Sequence, residues 1–253
     1  MTQSMIYALD FDGVICDSAV ETAITGWKAA GKLWPDMTED RLSEQLIDRF
    51  RRIRPAIETG YEAILAMRLI DRGDDDDRAV LTGFERNKQK LLDELNVDVD
   101  FLKKLFGETR DNWIAADFSG WIGVNPVFPS IADKLKQLNK QATWYVVTTK
   151  QERFVKKILS ANEIELSGEN IFGLERNRSK ADTLIEILEG HPNQQIYFVE
   201  DRLPALLTVM TNPKLQSLKL QLADWGYNTA QDRQEAVYKG IELLCIEDFL
   251  KAK

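Results

Sequence analysis

Histidine is almost absent: the 253 residues contain one, His191. A Ser–His–Asp triad would hang on that single residue, and a multi-histidine metal site is excluded. Cysteine is nearly as scarce. Cys16 and Cys245 build neither a disulfide framework nor a zinc cluster, and read as small buried hydrophobes in a reducing compartment. No apolar run approaches the ~18 residues that span a bilayer. The start MTQSMIYALDFDG lacks the basic n-region and long h-region of a signal peptide. The expected location is cytoplasmic. Positive charge is also short: 33 Lys and Arg stand against 41 Asp and Glu, a formal net charge of −8. Such a surface repels phosphate backbones and anionic lipid, so neither nucleic acid nor a membrane is an expected partner.

What is present is enough for two domains, with 44% hydrophobic residues to fill their cores. The apolar pattern changes character along the chain. MIYALD (5–10) is a short apolar run ending in an acid, which reads as a buried strand. From about residue 17 to 117 the period is helical: Val20, Ile24 and Trp27, then Leu46, Ile47, Phe50 and Ile53, then Val80, Leu81 and Phe84, then Leu91, Leu92 and Leu95. No strand is expected in that stretch. The Gly- and Pro-punctuated SGWIGVNPVFPS then reads as a linker. Strands expected at 142–149, 195–201, 218–226 and 243–246 alternate with helices expected at about 151–161 and 180–189, with a loop between those two helices. The pattern predicts an α/β fold: a Rossmann-like parallel sheet in a three-layer α/β/α core. That core comprises residues 1–15 and 125–253, and residues 16–124 form an all-helical domain inserted after the first strand.

Three expected strands end in groups that carry chemistry: Asp10, Thr148 and the pair Glu200–Asp201. Strand ends of one parallel sheet share a crevice, so these groups should meet. Asp12 lies two residues beyond Asp10 and can point the same way, and Gly13 permits the turn that follows.

Four segments in this order resemble the motifs of the haloacid dehalogenase superfamily of phosphohydrolases: Asp10-Phe11-Asp12-Gly13-Val14, Tyr145-Val146-Val147-Thr148, Ser179-Lys180-Ala181-Asp182 and Phe198-Val199-Glu200-Asp201. Ala223-Asp224-Trp225-Gly226-Tyr227 is similar to the family's later strand-to-turn segment, and the helical insert stands where members with a C1 cap carry theirs, as in the phosphoglycolate phosphatase and β-phosphoglucomutase branch. The resemblance implies a magnesium-dependent phosphatase acting on a small phosphorylated metabolite. Asp10 would be the nucleophile and Asp12 the acid and base. Asp10, Asp12 (through its backbone carbonyl), Asp201 and Glu200 would hold Mg²⁺. Thr148, Thr149 and Lys180 would contact the phosphate. The chemistry is coherent, because phosphoryl transfer needs a nucleophile, charge neutralisation and a proton donor for the leaving oxygen. A hard divalent cation with oxygen ligands relieves the repulsion between a carboxylate and an anionic phosphate.

Each residue also has a plainer reading. Thr148 could cap the next helix, Glu200–Asp201 could complement a helix dipole, and Arg178 or Lys150 could take the place of Lys180. Two motifs depart from the family pattern: in the fourth, Glu200 replaces a glycine and Ala205 occupies a later acidic position, and in the second, Thr149 stands where asparagine is common. In the insert, the tract Arg49-Phe50-Arg51-Arg52-Ile53-Arg54-Pro55 is either a solvated basic face or a substrate contact through Arg54, with Glu58 beside it. Asp74 to Asp77 reads as a helix-start dipole complement, His191 as a surface-loop residue, and Trp113 and Trp121 as packing at a hinge. The same motifs would serve a phosphomutase. A non-catalytic binding or regulatory protein of the same fold is the alternative from another class.

Overall fold

The computed structural model describes residues 5–37, 42–73 and 76–252. The chain divides into two compact units, Met1–Asp17 with Val127–Lys253, and Ser18–Pro126.

Within the described residues the second unit is helical throughout. Its helices are α1 (Ala19–Ala30), α2 (Glu44–Ile53), α3 (Glu62–Arg72), α4 (Asp77–Leu95), α5 (Val99–Ala116) and α6 (Phe118–Gly123). The helical period holds: Trp27, Phe50, Ile53, Val80, Phe84 and Leu91 are buried in one core, with Ile24, Leu46, Ile47, Leu81, Leu92 and Leu95 packed against it. Small residues let α1 and α3 approach closely, since a Cβ on Gly26 would lie 2.7 Å from the Ala63 carbonyl oxygen. The helix α6 falls in the stretch expected to be a linker. Asp117 accepts a hydrogen bond from the Gly120 N–H at 2.8 Å, and Trp121 is fully buried. A cap and a buried indole outweigh the weak helix propensity of two glycines.

The arginine tract is used inside this unit. Arg49 and Arg52 of α2 both reach Asp77 at the start of α4, at 2.7 and 2.5 Å, and Arg49 also donates to the Ile70 carbonyl. Asp76 caps α4 through the Ala79 N–H; Asp74 and Asp75 lie outside the described residues. Arg54 is buried and donates to the Ile57 carbonyl at 2.7 Å. Trp113 carries Lys28 Nζ 4.1 Å above its ring. Trp121 donates to Glu21, the centre of a buried polar knot: Arg110 grips both Glu21 oxygens at 2.7 Å and Thr25 donates at 2.7 Å.

The first unit is built on six strands, β1 (Met5–Leu9), β2 (Thr143–Val147), β3 (Ile171–Phe172), β4 (Gln195–Glu200), β5 (Lys219–Ala223) and β6 (Glu242–Leu244). All pairings are parallel and the order is β3-β2-β1-β4-β5-β6. The expected α/β class and parallel sheet are both present. The two-residue β3 falls within a stretch expected to be loop; it is too short to carry a period and exists through its pairing with Val146 and Val147. Helices α7 (Ile131–Gln141), α8 (Glu152–Ala161), α9 (Lys180–Gly190), α10 (Leu203–Met210), α11 (Ala230–Tyr238) and α12 (Ile246–Lys251) complete the unit. They cover both faces. Ile6 and Ala8 join a core with Leu184 of α9 and Leu206 of α10, while Tyr7 on the opposite face meets Phe249 of α12 edge-on. Strands buried on two sides must be apolar almost without a break, as the MIYAL run of β1 is.

The order of strands reverses beside β1, between β2 on one side and β4 on the other. Crevices for ligands open at the carboxyl ends of such a switch point. Leu9 pairs in register with Val199, and the Asp10 N–H donates to the Val199 carbonyl. The chain thus delivers Asp10 and Glu200 to the same edge.

The knot in the helical unit predicts a stability signature. Arg110→Met leaves the fully buried Glu21 carboxylate without its cation and should cost about 3–5 kcal/mol. Adding Glu21→Gln should recover most of that loss. Urea unfolding of the single and double variants measures both values, and a recovery near zero would contradict the assignment.

Candidate active site

Asp10 leaves β1 buried among three other charged groups. Its Oδ1 lies 3.0 Å from Lys180 Nζ, and the same ammonium is 2.6 Å from Glu200 Oε2. Lys180 is the first residue of α9, which Ser179 caps by accepting the Asp182 N–H. Glu200 ends β4 fully buried, and its second oxygen accepts the Arg202 N–H at 3.1 Å. Glu200 is therefore tied to Lys180 on one side and to the following turn on the other.

Asp201 is held by close-packed backbone. Its Oδ2 accepts the Tyr227 N–H at 2.7 Å, and its carbonyl accepts the Asn228 side-chain amide. Two glycines make room for it. Gly13 has φ +91°, and a Cβ there would lie 2.0 Å from Asp201 Oδ2. A Cβ on Gly226 would lie 2.3 Å from Asp201 Cβ and 2.5 Å from the Gly13 carbonyl oxygen. Tyr227 also donates its hydroxyl to Asp17 at 2.8 Å, and Trp225 donates to the Val14 carbonyl.

A third cluster lies at the end of β2. The buried Thr148 accepts the Lys150 N–H at 3.1 Å, and Lys150 Nζ donates to Asp12 Oδ1 at 2.9 Å. Thr149, half-buried, stands between them. Of the residues singled out in the sequence, Asp10, Lys180 and Glu200 thus form one ion-paired group. Asp201 joins them through a set of carboxylate oxygens within 4.8 Å of one another, and Thr148 meets Asp12 by way of Lys150. Arg178 pairs instead with Glu186, and the half-buried His191 meets the Tyr145 hydroxyl at 2.7 Å. Two residues stand out less in the sequence than their positions warrant. Lys150 looked there like a substitute for Lys180, whereas it meets a different carboxylate; Gly226 stood out only within the strand-to-turn segment Ala223–Tyr227.

Electrostatics favour a cation here. Asp10, Asp12, Glu200 and Asp201 are four carboxylates against the two ammonium groups of Lys150 and Lys180, which leaves two negative charges in a largely buried place. Burial, then the charge of Glu200, push the Asp10 carboxyl up to about 6; Lys180 opposes the shift and Asp12 adds to it. Burial by itself would lower Lys180, but Asp10 and Glu200 reverse that and raise it above the ordinary lysine value. Buried carboxylates with no compensating charge are costly. Hard oxygen donors of this kind suit Mg²⁺, and Asp10, Asp201 and Glu200 are the groups able to share one ion.

No family model matches the chain, and no curated protein does. Solved structures do. One described as a predicted phosphatase from Clostridium acetobutylicum aligns over 99% of this chain and 98% of its own, with a TM-score of 0.60 and 15% identity. One described as a predicted phosphoglycolate phosphatase from Haemophilus somnus covers 99% and 96%, with a TM-score of 0.59 and 15% identity. A haloacid dehalogenase-like family hydrolase from Streptococcus pneumoniae covers 97% and 95%, with a TM-score of 0.56 and 16% identity. The fold is therefore that of the haloacid dehalogenase-like hydrolases over nearly the whole chain. No helix among the described residues is long and apolar enough to cross a membrane.

The packing around Asp201 gives a test. Gly226→Ala should displace the Asp201 carboxylate and weaken Mn²⁺ binding by roughly tenfold or more, as losses in the supporting shell of a metal site do. Titration calorimetry reads the affinity, and an unchanged value would count against Asp201 as a ligand.

Proposed function

We propose that this chain is a haloacid dehalogenase-type phosphatase that hydrolyses a small phosphorylated metabolite through an aspartyl-phosphate on Asp10. The observation that carries the reading is the buried group Asp10, Lys180, Glu200 and Asp201 at the switch point of the sheet. The fold shared with structures described as phosphatases supports it.

In this reading an Asp10 oxygen attacks phosphorus and the bond to the ester oxygen breaks. The departing oxygen keeps that electron pair and takes a proton from Asp12. Water then attacks the phosphoryl group and gives its proton back to Asp12. The bond to Asp10 breaks, inorganic phosphate leaves, and both carboxyl groups return to their starting state. Lys180, already 3.0 Å from Asp10, offsets the charge that accumulates between that carboxylate and the phosphate. Thr148, whose Oγ accepts the Lys150 N–H, donates its own proton to a phosphate oxygen, beside Thr149. Asp10, Asp201, the Asp12 carbonyl and Glu200 would hold Mg²⁺, which when bound neutralises charge on the phosphate and its carboxylate surroundings. The helical residues Ser18–Pro126 take the part of a cap domain. Arg54, buried and donating to the Ile57 carbonyl, remains in the same reading the substrate contact that its tract raised.

The expected result is Mg²⁺-dependent release of inorganic phosphate from p-nitrophenyl phosphate, abolished by EDTA. Asp10→Asn should lower turnover by at least about 10³-fold, the scale of losing a nucleophile. Acid quenching during turnover should trap a phosphoryl group on Asp10. Full activity in Asp10→Asn would falsify the nucleophile assignment.

A further inference from the structure

The buried Lys150 and the half-buried Lys180 meet different carboxylates. Lys180 meets Asp10 and Glu200, while Lys150 meets Asp12 at 2.9 Å. We propose that Lys150 is a positioning residue: it holds the Asp12 carboxyl in the orientation from which protons move to and from the reacting oxygens. This rests on the hydrolase reading above.

Lys150 is built as a fixed post. Its side chain is 2% exposed, against 17% for that of Asp12. Its N–H is tied to Thr148 Oγ, and its carbonyl accepts the Leu174 N–H at 3.1 Å. The Gly173 backbone presses on that carbonyl so closely that a Cβ there would sit 2.6 Å away. The ammonium lies 6.0 Å from the centre of the Phe11 ring and meets Asp12 Oδ1 at 2.9 Å. Asp12 itself lies past the end of β1, in a turn whose backbone is held by hydrogen bonds from Gly13 to Cys16 and from Ile15 and Cys16 to Phe11. An ion pair with an anchored ammonium narrows the rotamers open to a short acidic side chain. Misplacing a reacting group by about 1 Å costs roughly 10²-fold in rate. An ammonium anchored at both sides of its own peptide unit limits such misplacement.

The role makes a distinctive kinetic prediction, because proton donation matters only when the leaving oxygen is a poor one. p-Nitrophenolate departs without a proton; the alkoxide of β-glycerophosphate does not. In Lys150→Met, kcat/KM for β-glycerophosphate should fall about 10–100-fold, within the range for acid–base catalysis. For p-nitrophenyl phosphate kcat/KM should stay within about threefold of wild type, because that ratio ends at departure of the phenolate. Its kcat should drop, since water must still lose a proton to Asp12, and a burst of p-nitrophenolate should precede the steady state. In an Asp12→Asn background, Lys150→Met should add nothing further on β-glycerophosphate; with Asp12 intact, Lys150→Arg should keep part of the rate that Lys150→Met loses. Lys150→Gln serves the same comparison if the Met variant fails to fold. Equal losses in kcat/KM on both esters, or a full extra loss in the Asp12→Asn background, would place Lys150 on the phosphate and overturn the proposal. A wild-type chain inactive on both esters overturns the hydrolase reading and this inference together. An active one with equal losses overturns the inference alone.

Discussion

Negative charge crowded into the carboxyl end of a parallel sheet is the constraint on which this structure turns. Asp10, Glu200 and Asp201 are buried to within a few per cent of complete exclusion from water. The Lys180 ammonium, shared between Asp10 and Glu200, lies among them as an opposing charge. Burying carboxylates this way costs several kcal/mol each unless they are paired. The chain retains the arrangement and devotes two glycines, a helix start and three backbone N–H groups to holding it. Such a concentration of cost at the sheet's switch point is what a site for a cation and an anionic substrate looks like in physical terms.

The same logic separates the two lysines. Both meet carboxylates, and in one dimension they look interchangeable. Lys180 enters from the first turn of α9, beside β4 and β1, while Lys150 enters from the loop after β2 and reaches the far carboxylate of the Asp10–Asp12 pair. Their different partners follow from the element each one leaves.

The helical unit solves a different problem with a similar device. Its buried Glu21 has a bidentate arginine, an indole N–H and a threonine hydroxyl, so its oxygens are well supplied with donors. There the polar group joins α1, α5 and α6. Arg49 and Arg52 likewise join α2 to α4 through Asp77. Acids and arginines that look in the sequence like loose surface charge are spent on joining helices.

Much was legible in the residues alone. Apolar runs bounded by acids mark the strands, and three- and four-residue spacing marks the helices, because burial on two faces and burial on one stripe leave different periods. Asp10, Asp12, Thr148, Lys180 and Glu200–Asp201 stand out because each lies at or within a few residues of a strand's end or opens a helix. The two-residue β3 has no period to read, since its hydrogen bonds come from β2. The helix α6 hides behind glycines because its stability comes from Asp117 and the burial of Trp121. The sequence by itself determined the α/β class and which side chains carry charge at strand ends, since both depend on local pattern. Only the tertiary structure decided that Lys150 faces Asp12, that Gly13 and Gly226 shape the seat of Asp201, and that Glu200 answers to Lys180. Those pairings join residues far apart along the chain, and a distance in space is set by how strands and helices pack, which no local pattern records.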